Sequence, residues 1–178
     1  MDKVKLKGSV AYVYKVFVES LKKAGIETVS GALSENAVVV GVPFSEFAGL
    51  ITAEVNKEVW EQKIKDGKLF LVGMKELVDE DVKVVNSKIL SKLKKLGIDA
   101  EAYITDDGDA VVMVSLVDVI LRILEKTLQE TKARAGNHMR SLRVKFGNDD
   151  EYAYIVIYTK SSQKDTVLSR IEEVLKGE

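Results

Sequence analysis

Leu21-Lys22-Lys23-Ala24-Gly25-Ile26 returns as Leu93-Lys94-Lys95-Leu96-Gly97-Ile98, five identities in six positions, 72 residues further along the chain. Each copy closes an apolar pattern at helical spacing: Val10, Val13, Phe17 and Leu21 before the first, Val82, Val85, Ile89, Leu93 and Leu96 through the second. Residues three and four apart share one face of an α-helix, so each set forms a single apolar stripe. Each helix is expected to stop at its glycine, Gly25 or Gly97, because glycine accepts the left-handed conformation that follows a helix C-terminus.

The likeness continues downstream. Ala37-Val38-Val39-Val40 recurs as Ala110-Val111-Val112-Met113, now 73 residues apart, so one residue enters the intervening turn. Residues 26–32 with 37–42, and 98–105 with 110–114, read as hairpins, the second turning through Asp106-Asp107-Gly108-Asp109. At the same offset Phe44, Phe47, Leu50, Ile51 and Val55 fall on Val117, Ile120, Ile123, Leu124 and Leu128, which predicts a second helix in each copy. Pro43 suits the first turn of one, and Ser115-Leu116-Val117-Asp118 caps the other. Trp60 continues the first of these helices loosely, as a side chain buried across two faces. Lys68-Leu69-Phe70-Leu71-Val72 falls on Ser141-Leu142-Arg143-Val144-Lys145 as a closing strand.

The sequence therefore predicts an α+β protein with mainly antiparallel sheet, built from two tandem helix-strand-strand-helix-strand units. The first spans residues 1–73, a linker runs from 74 to 80, and the second spans 81–178. The second unit is extended by a strand at 152–158 and a terminal helix opened by Ser162-Gln163-Lys164-Asp165.

Composition narrows the chemistry. With 178 residues, 46% of them hydrophobic and 31% charged, the chain can bury a core without staples, and a net charge of −1 gives no global attraction to nucleic acid. The absence of cysteine removes disulfides, thiol nucleophiles and cysteinyl metal sites, and a lone His138 removes histidine clusters. No Gly-x-Gly-x-x-Gly or Gly-x-x-x-x-Gly-Lys-Ser/Thr stretch marks a nucleotide site, and no Gly-x-Ser-x-Gly elbow marks a nucleophile. No cofactor and no catalytic residue are expected. The N-terminus alternates charged with apolar residues, and no uncharged apolar run reaches the roughly 20 residues that span a bilayer. A cytoplasmic protein without membrane attachment is expected. Abundant Glu and Lys with few Asn, Gln and Pro resemble proteins of thermophiles.

Two places carry candidate function. Asp106, Asp107 and Asp109 offer carboxylates to a hard cation, although Asp-Gly is also an ordinary hairpin turn. In the last hairpin Leu142, Val144 and Phe146 alternate with Arg143 and Lys145, while Ala153, Ile155 and Ile157 alternate with Tyr152, Tyr154 and Tyr158. If the aliphatic sets share the core, Arg143, Lys145, Tyr152, Tyr154 and Tyr158 share the opposite face. That face suits base stacking and phosphate contact, with Lys132, Arg134, His138 and Arg140 extending the basic area. It equally suits a protein interface, or packing beneath another helix of the chain. His138, after Gly136-Asn137, is expected to cap a helix end.

From Leu90 onward the order of elements resembles a roadblock/LC7 domain. Ala100-Glu101-Ala102-Tyr103-Ile104-Thr105-Asp106-Asp107-Gly108-Asp109-Ala110-Val111-Val112 resembles the first hairpin of that family, and Asp149-Asp150-Glu151-Tyr152-Ala153-Tyr154-Ile155-Val156 a later strand. The resemblance covers about half the chain, is one strand short between the long helices, and brings no catalytic residues. It implies a dimer-forming scaffold that binds a small GTPase or motor-type partner. The reading that follows is a non-enzymatic binding module, homodimeric or pseudo-dimeric, acting through protein contacts. Nucleic-acid binding by the same sheet face is the alternative, and metal-assisted hydrolysis at the aspartates a third.

Overall fold

The computed structural model describes residues 5–73, 78–162 and 164–177. Helix α1 (Gly8–Lys23) leads into strands β1 (Val29–Ser34) and β2 (Ala37–Pro43), and α2 (Phe44–Ile51) into β3 (Trp60–Lys65) and β4 (Lys68–Gly73). The next helix is α3 (Asp79–Val85), a π-helical turn (Asn86–Leu90) and α4 (Ser91–Lys95) in continuous succession. It is followed by β5 (Glu101–Ile104), β6 (Ala110–Ser115), α5 (Leu116–Ala135), a 3-10 turn (Gly136–Met139), β7 (Leu142–Asn148), β8 (Tyr152–Thr159), α6 (Lys164–Leu168) and α7 (Ile171–Lys176). The α+β class is as expected, with two four-stranded antiparallel sheets.

The repeated hexapeptide makes the same helix stop twice. Gly25 and Gly97 are left-handed at φ 77° and 76°. Their N–H groups donate to the Lys22 and Lys94 carbonyls at 3.0 Å, and Ile26 and Ile98 donate to Leu21 and Leu93 at 3.0 and 2.9 Å. These bonds satisfy carbonyls that the helix itself leaves free. The start of α5 is also as read: Ser115 Oγ accepts the Asp118 N–H at 3.3 Å. In addition the Gly67 carbonyl receives the Leu116 and Val117 N–H groups. Pro43 lies one place earlier than expected, as the last residue of β2.

Two expectations are corrected. Strand β3 takes the place of the helix continuation through Trp60, so the order is helix, strand, strand, helix, strand, strand in each half. Its hairpin turns through Asp66-Gly67, both at positive φ, with Lys65 paired to Lys68. Helix α2 ends at Ile51, and beyond it the Asn56 carbonyl and side chain gather the N–H groups of Glu58, Val59 and Trp60 into the turn that leads into β3. With β3 counted, β4 corresponds to β8 and not to the strand at 142–148.

The spatial units differ from the tandem division at 73 and 81. One compact unit comprises Met1–Pro43 and Ile123–Glu178, the other Phe44–Arg122. The reason lies in strand pairing. The first unit holds the sheet β1-β2-β8-β7 and the second the sheet β3-β4-β6-β5. Each sheet thus takes one hairpin from each half of the sequence. Of the predicted linker, residues 74–77 lie outside the described residues, and Asp79 and Glu80 belong to α3.

In the discontinuous unit the sheet is covered on both faces. Val38, Val40, Val42, Ala153, Ile155 and Ile157 lie on one face, and α1 packs against β2 and β8. On the other, Leu33, Ala37, Val39, Val156 and Tyr158 form a core with Val167 of α6 and Ile171 and Leu175 of α7. Glycine permits the close approach of α7: a Cβ on Gly31 would lie 2.5 Å from Val174 Cγ1, and one on Gly41 2.6 Å from Leu175 Cδ2. Gly41→Val should therefore lift α7 and destabilise the unit by about 1–3 kcal/mol. Gly49→Ala, on α2 where a Cβ meets open space, should instead stabilise by about 0.5–1 kcal/mol. Chemical denaturation of both variants checks the pair.

Candidate functional site

Sheet register places the sequence-predicted basic and aromatic residues together. Arg143 pairs with Tyr158, Lys145 with Val156 and Gly147 with Tyr154, so Arg143, Lys145, Tyr152, Tyr154 and Tyr158 share one face. Leu142, Val144, Phe146, Ala153, Ile155 and Ile157 share the other, as the alternation required. The tyrosines, however, are not a solvent-facing platform. Tyr158 is 7% exposed within the core beneath α6 and α7, and Tyr152 and Tyr154 pack against the same core. Tyr154 lays its ring over Gly147 of β7, so closely that a Cβ there would fall 2.6 Å from the phenol oxygen. Arg143 and Lys145, on the edge strand, are exposed, whereas Tyr152 and Tyr154 are only partly so.

His138 stacks on Tyr12, ring centroids 4.4 Å apart, and its Nδ1 lies 3.1 Å from Ser9 Oγ. Both partners are on α1, so the histidine clasps the 3-10 turn to that helix. Among the described residues no carboxylate is hydrogen-bonded to the ring, which leaves the Ser–His contact without the third member of a catalytic relay.

Asp106, Asp107 and Asp109 are exposed in the turn between β5 and β6. That turn is closed by its own groups: Gly108 N–H donates to the Thr105 carbonyl, Thr105 N–H to the Asp109 carbonyl, and Asp109 N–H to Thr105 Oγ1. Among the described residues no cluster of three or more His, Asp or Glu is arranged to hold a metal ion.

The feature that sequence reasoning missed is in the Phe44–Arg122 unit. Val82, Val85, Asn86 and Leu90 on one side, with Trp60, Ala102, Ile104, Ala110 and Val112 among the residues opposite, line a solvent-open cavity of about 290 Å³. Small side chains leave the space: Ala102 pairs with Val112 and Ile104 with Ala110, while Trp60 pairs with Gly73. Trp60 is 3% exposed, yet its indole N–H has no hydrogen-bond partner among the described residues. The π turn adds a residue to one helical turn and shifts the helix face; such turns are frequent at functional sites. Among the described residues Gln62 Nε2 is the other unpaired buried donor. Thr52 has a single hydroxyl proton, which the Ala48 carbonyl receives at 2.7 Å. An amide turned to present Nε2 to Thr52 Oγ1, 3.1 Å away in its present orientation, would satisfy both groups.

Around the cavity lies an apolar edge. Ile104 is 75% exposed, Tyr103 46%, and Val78 and Val82 are exposed on α3 and just before it. The corresponding place in the other sheet is closed: Leu33, in the bulge opposite Ala37, is 1% exposed beneath α6 and α7, and Arg170 donates to its carbonyl. Periodicity placed Val82 on the apolar stripe of its helix, where the structure leaves it exposed, and gave Ala102 and Ile104 no special status; the comparison of repeats could have, once β3 and β4 were placed.

Among known proteins, one designated "Uncharacterized protein 34" of Sulfolobus islandicus filamentous virus (isolate Iceland/Hveragerdi) is 70% identical over 178 residues, the whole of both chains. The chain belongs to the family of that viral protein. No family model matches the sequence, and no solved structure matches the fold. Among the described residues of this family member, no helix is long and apolar enough to cross a membrane.

Tyr154 offers a solution check on the covered sheet face. Burial, and after it the Asp149 carboxylate, raise its phenol above the ordinary value near 10. The unfolded chain then loses this proton at lower pH than the folded one. Its contribution to stability is complete below about pH 10 and disappears as pH climbs toward the raised folded value. Alkaline denaturation of Tyr154→Phe should accordingly be less steep in pH than that of the wild type.

Proposed function

We propose that this protein is a non-enzymatic binding module that works through protein–protein contact, with the free edge of the Phe44–Arg122 unit as its contact surface. The observation that carries the reading is β5. It is a terminal strand of its sheet, all four residues are exposed, and it ends in Ile104 beside an apolar cavity. An open strand edge with large apolar side chains is a template for pairing with another chain, and aromatic anchors over a pocket are typical of binding hot spots. The interleaving of the two halves in both sheets supports a pseudo-dimeric arrangement within one chain, in keeping with a scaffold. Nucleic-acid binding by Tyr152, Tyr154 and Tyr158 has less in its favour, since stacking needs open ring faces.

The test is capture on immobilised protein from native lysate, with and without nuclease, comparing wild type with Ile104→Asp. Ile104 is exposed, so the variant keeps the fold, which circular dichroism verifies. Proteins that survive nuclease and disappear with Ile104→Asp are the expected result. Capture that depends on nucleic acid, or that is indifferent to Ile104, would overturn the proposal.

A further inference from the structure

The described sheets have four edge strands, β1, β7, β3 and β5, and three of them are guarded. Strand β1 carries a bulge and is covered by α6 and α7. Exposed Glu61, Lys63 and Lys65 protect β3, and exposed Arg143 and Lys145 shield β7 against any edge that is not acidic. Charged side chains, bulges and covering helices are the usual means of preventing edge-to-edge pairing. Strand β5, Glu101-Ala102-Tyr103-Ile104, has none but Glu101.

Its surroundings are acidic. Asp99 precedes it, and Asp106, Asp107 and Asp109 follow it. A partner strand that pairs here should be basic and carry apolar residues at alternate positions. The chain contains one: Leu142-Arg143-Val144-Lys145-Phe146, with Arg140 just before it. The asymmetry extends to whole units, since Phe44–Arg122 holds fifteen acidic and eleven basic residues and the rest of the chain thirteen and sixteen. Pairing of β5 with β5 of another copy is opposed by Asp99 facing the acidic turn in an antiparallel arrangement.

We propose that β5 of one copy pairs with β7 of a second copy, antiparallel, in a head-to-tail contact. In one register Glu101 meets Lys145, Tyr103 meets Arg143, Ala102 meets Val144 and Ile104 meets Leu142. Both faces match at once: an ion pair and a cation–π contact on one side, aliphatic pairs on the other. The acidic turn at 106–109 then points toward Arg140. A parallel arrangement would bring it toward Asp149, Asp150 and Glu151, which like-charge repulsion opposes. Because the contact joins different surfaces of the two copies, the pair as a whole keeps one free edge of each kind, β7 on one copy and β5 on the other. The inference rests on the proposed role of the β5 edge and names the strand that occupies it.

The four-residue contact is small, so the association is expected to be weak, reversible and salt-sensitive. Sedimentation velocity of the full chain, from micromolar to several hundred micromolar, measures it in low and high salt. Glu101→Lys and Lys145→Glu should each weaken association by about tenfold, since reversal replaces attraction with repulsion. An equimolar mixture of the two variants should reassociate, because the lysine introduced in one then faces the glutamate introduced in the other; a double variant should do the same. A wild type that stays monomeric throughout, variants that associate like wild type, or a mixture that does not reassociate would each overturn the pairing. If Ile104→Asp still abolishes protein capture in those cases, the β5 edge remains a binding surface and only the assignment of β7 falls.

Discussion

Everything in this structure depends on two antiparallel pairings, β2 with β8 and β4 with β6. They form the centre of each sheet, and in both a strand from the first half of the sequence meets one from the second. All seven residues of β2 are buried, and Ala153, Ile155, Val156 and Ile157 opposite them are inaccessible to solvent. Backbone groups so placed must find partners in neighbouring strands, because water cannot reach them. A hairpin from one half alone would leave them open. The two halves are therefore not beads on a string. Each supplies half of each sheet, and the chain passes between units after Pro43 and again within α5.

What could be read from the sequence was local. The helix stops at Gly25 and Gly97, the Ser115 cap and the two valine-rich hairpins follow from residues a few positions apart, and all are found where expected. Strand β3 was hidden because Glu61, Gln62, Lys63 and Lys65 give it a polar character, although Asp66-Gly67 is a strong hairpin signal. That omission set β4 against β7 instead of β8, and with it concealed how the hairpins are shared. In the candidate site, alternation correctly put Arg143, Lys145 and the tyrosines on one face. It could not reveal that α7, at the far end of the chain, lies over the tyrosines, because only Gly31 and Gly41 admit it and their partners are remote in sequence.

The two sheets share a strand plan but are finished differently. One receives α6 and α7 over a bulged edge, with Tyr158 filling the row between Arg143 and Ala37. In the other, glycine and alanine occupy much of the comparable row between Trp60 and Ile104, and the helix above them is broken by a π turn. A cavity and an open edge result from the same substitutions of size. The same strand plan occurs in both sheets, and the smaller side chains in one leave open at the surface a place that is core in the other.

The sharing of hairpins also has a consequence in time. Residues 44–122 are contiguous, so their sheet can close while the ribosome is still adding the rest of the chain. Strand β2 must wait for β8, whose pairing residues lie more than a hundred positions downstream. At typical synthesis rates of about 5–20 residues per second, the wait lasts roughly ten seconds. Through that interval a strand whose every residue is buried in the folded protein is exposed on a nascent chain without its partner, and closing so long a loop is itself entropically costly. Vectorial synthesis thus orders the folding of the two units: the contiguous one first, the discontinuous one only when the C-terminal hairpin emerges.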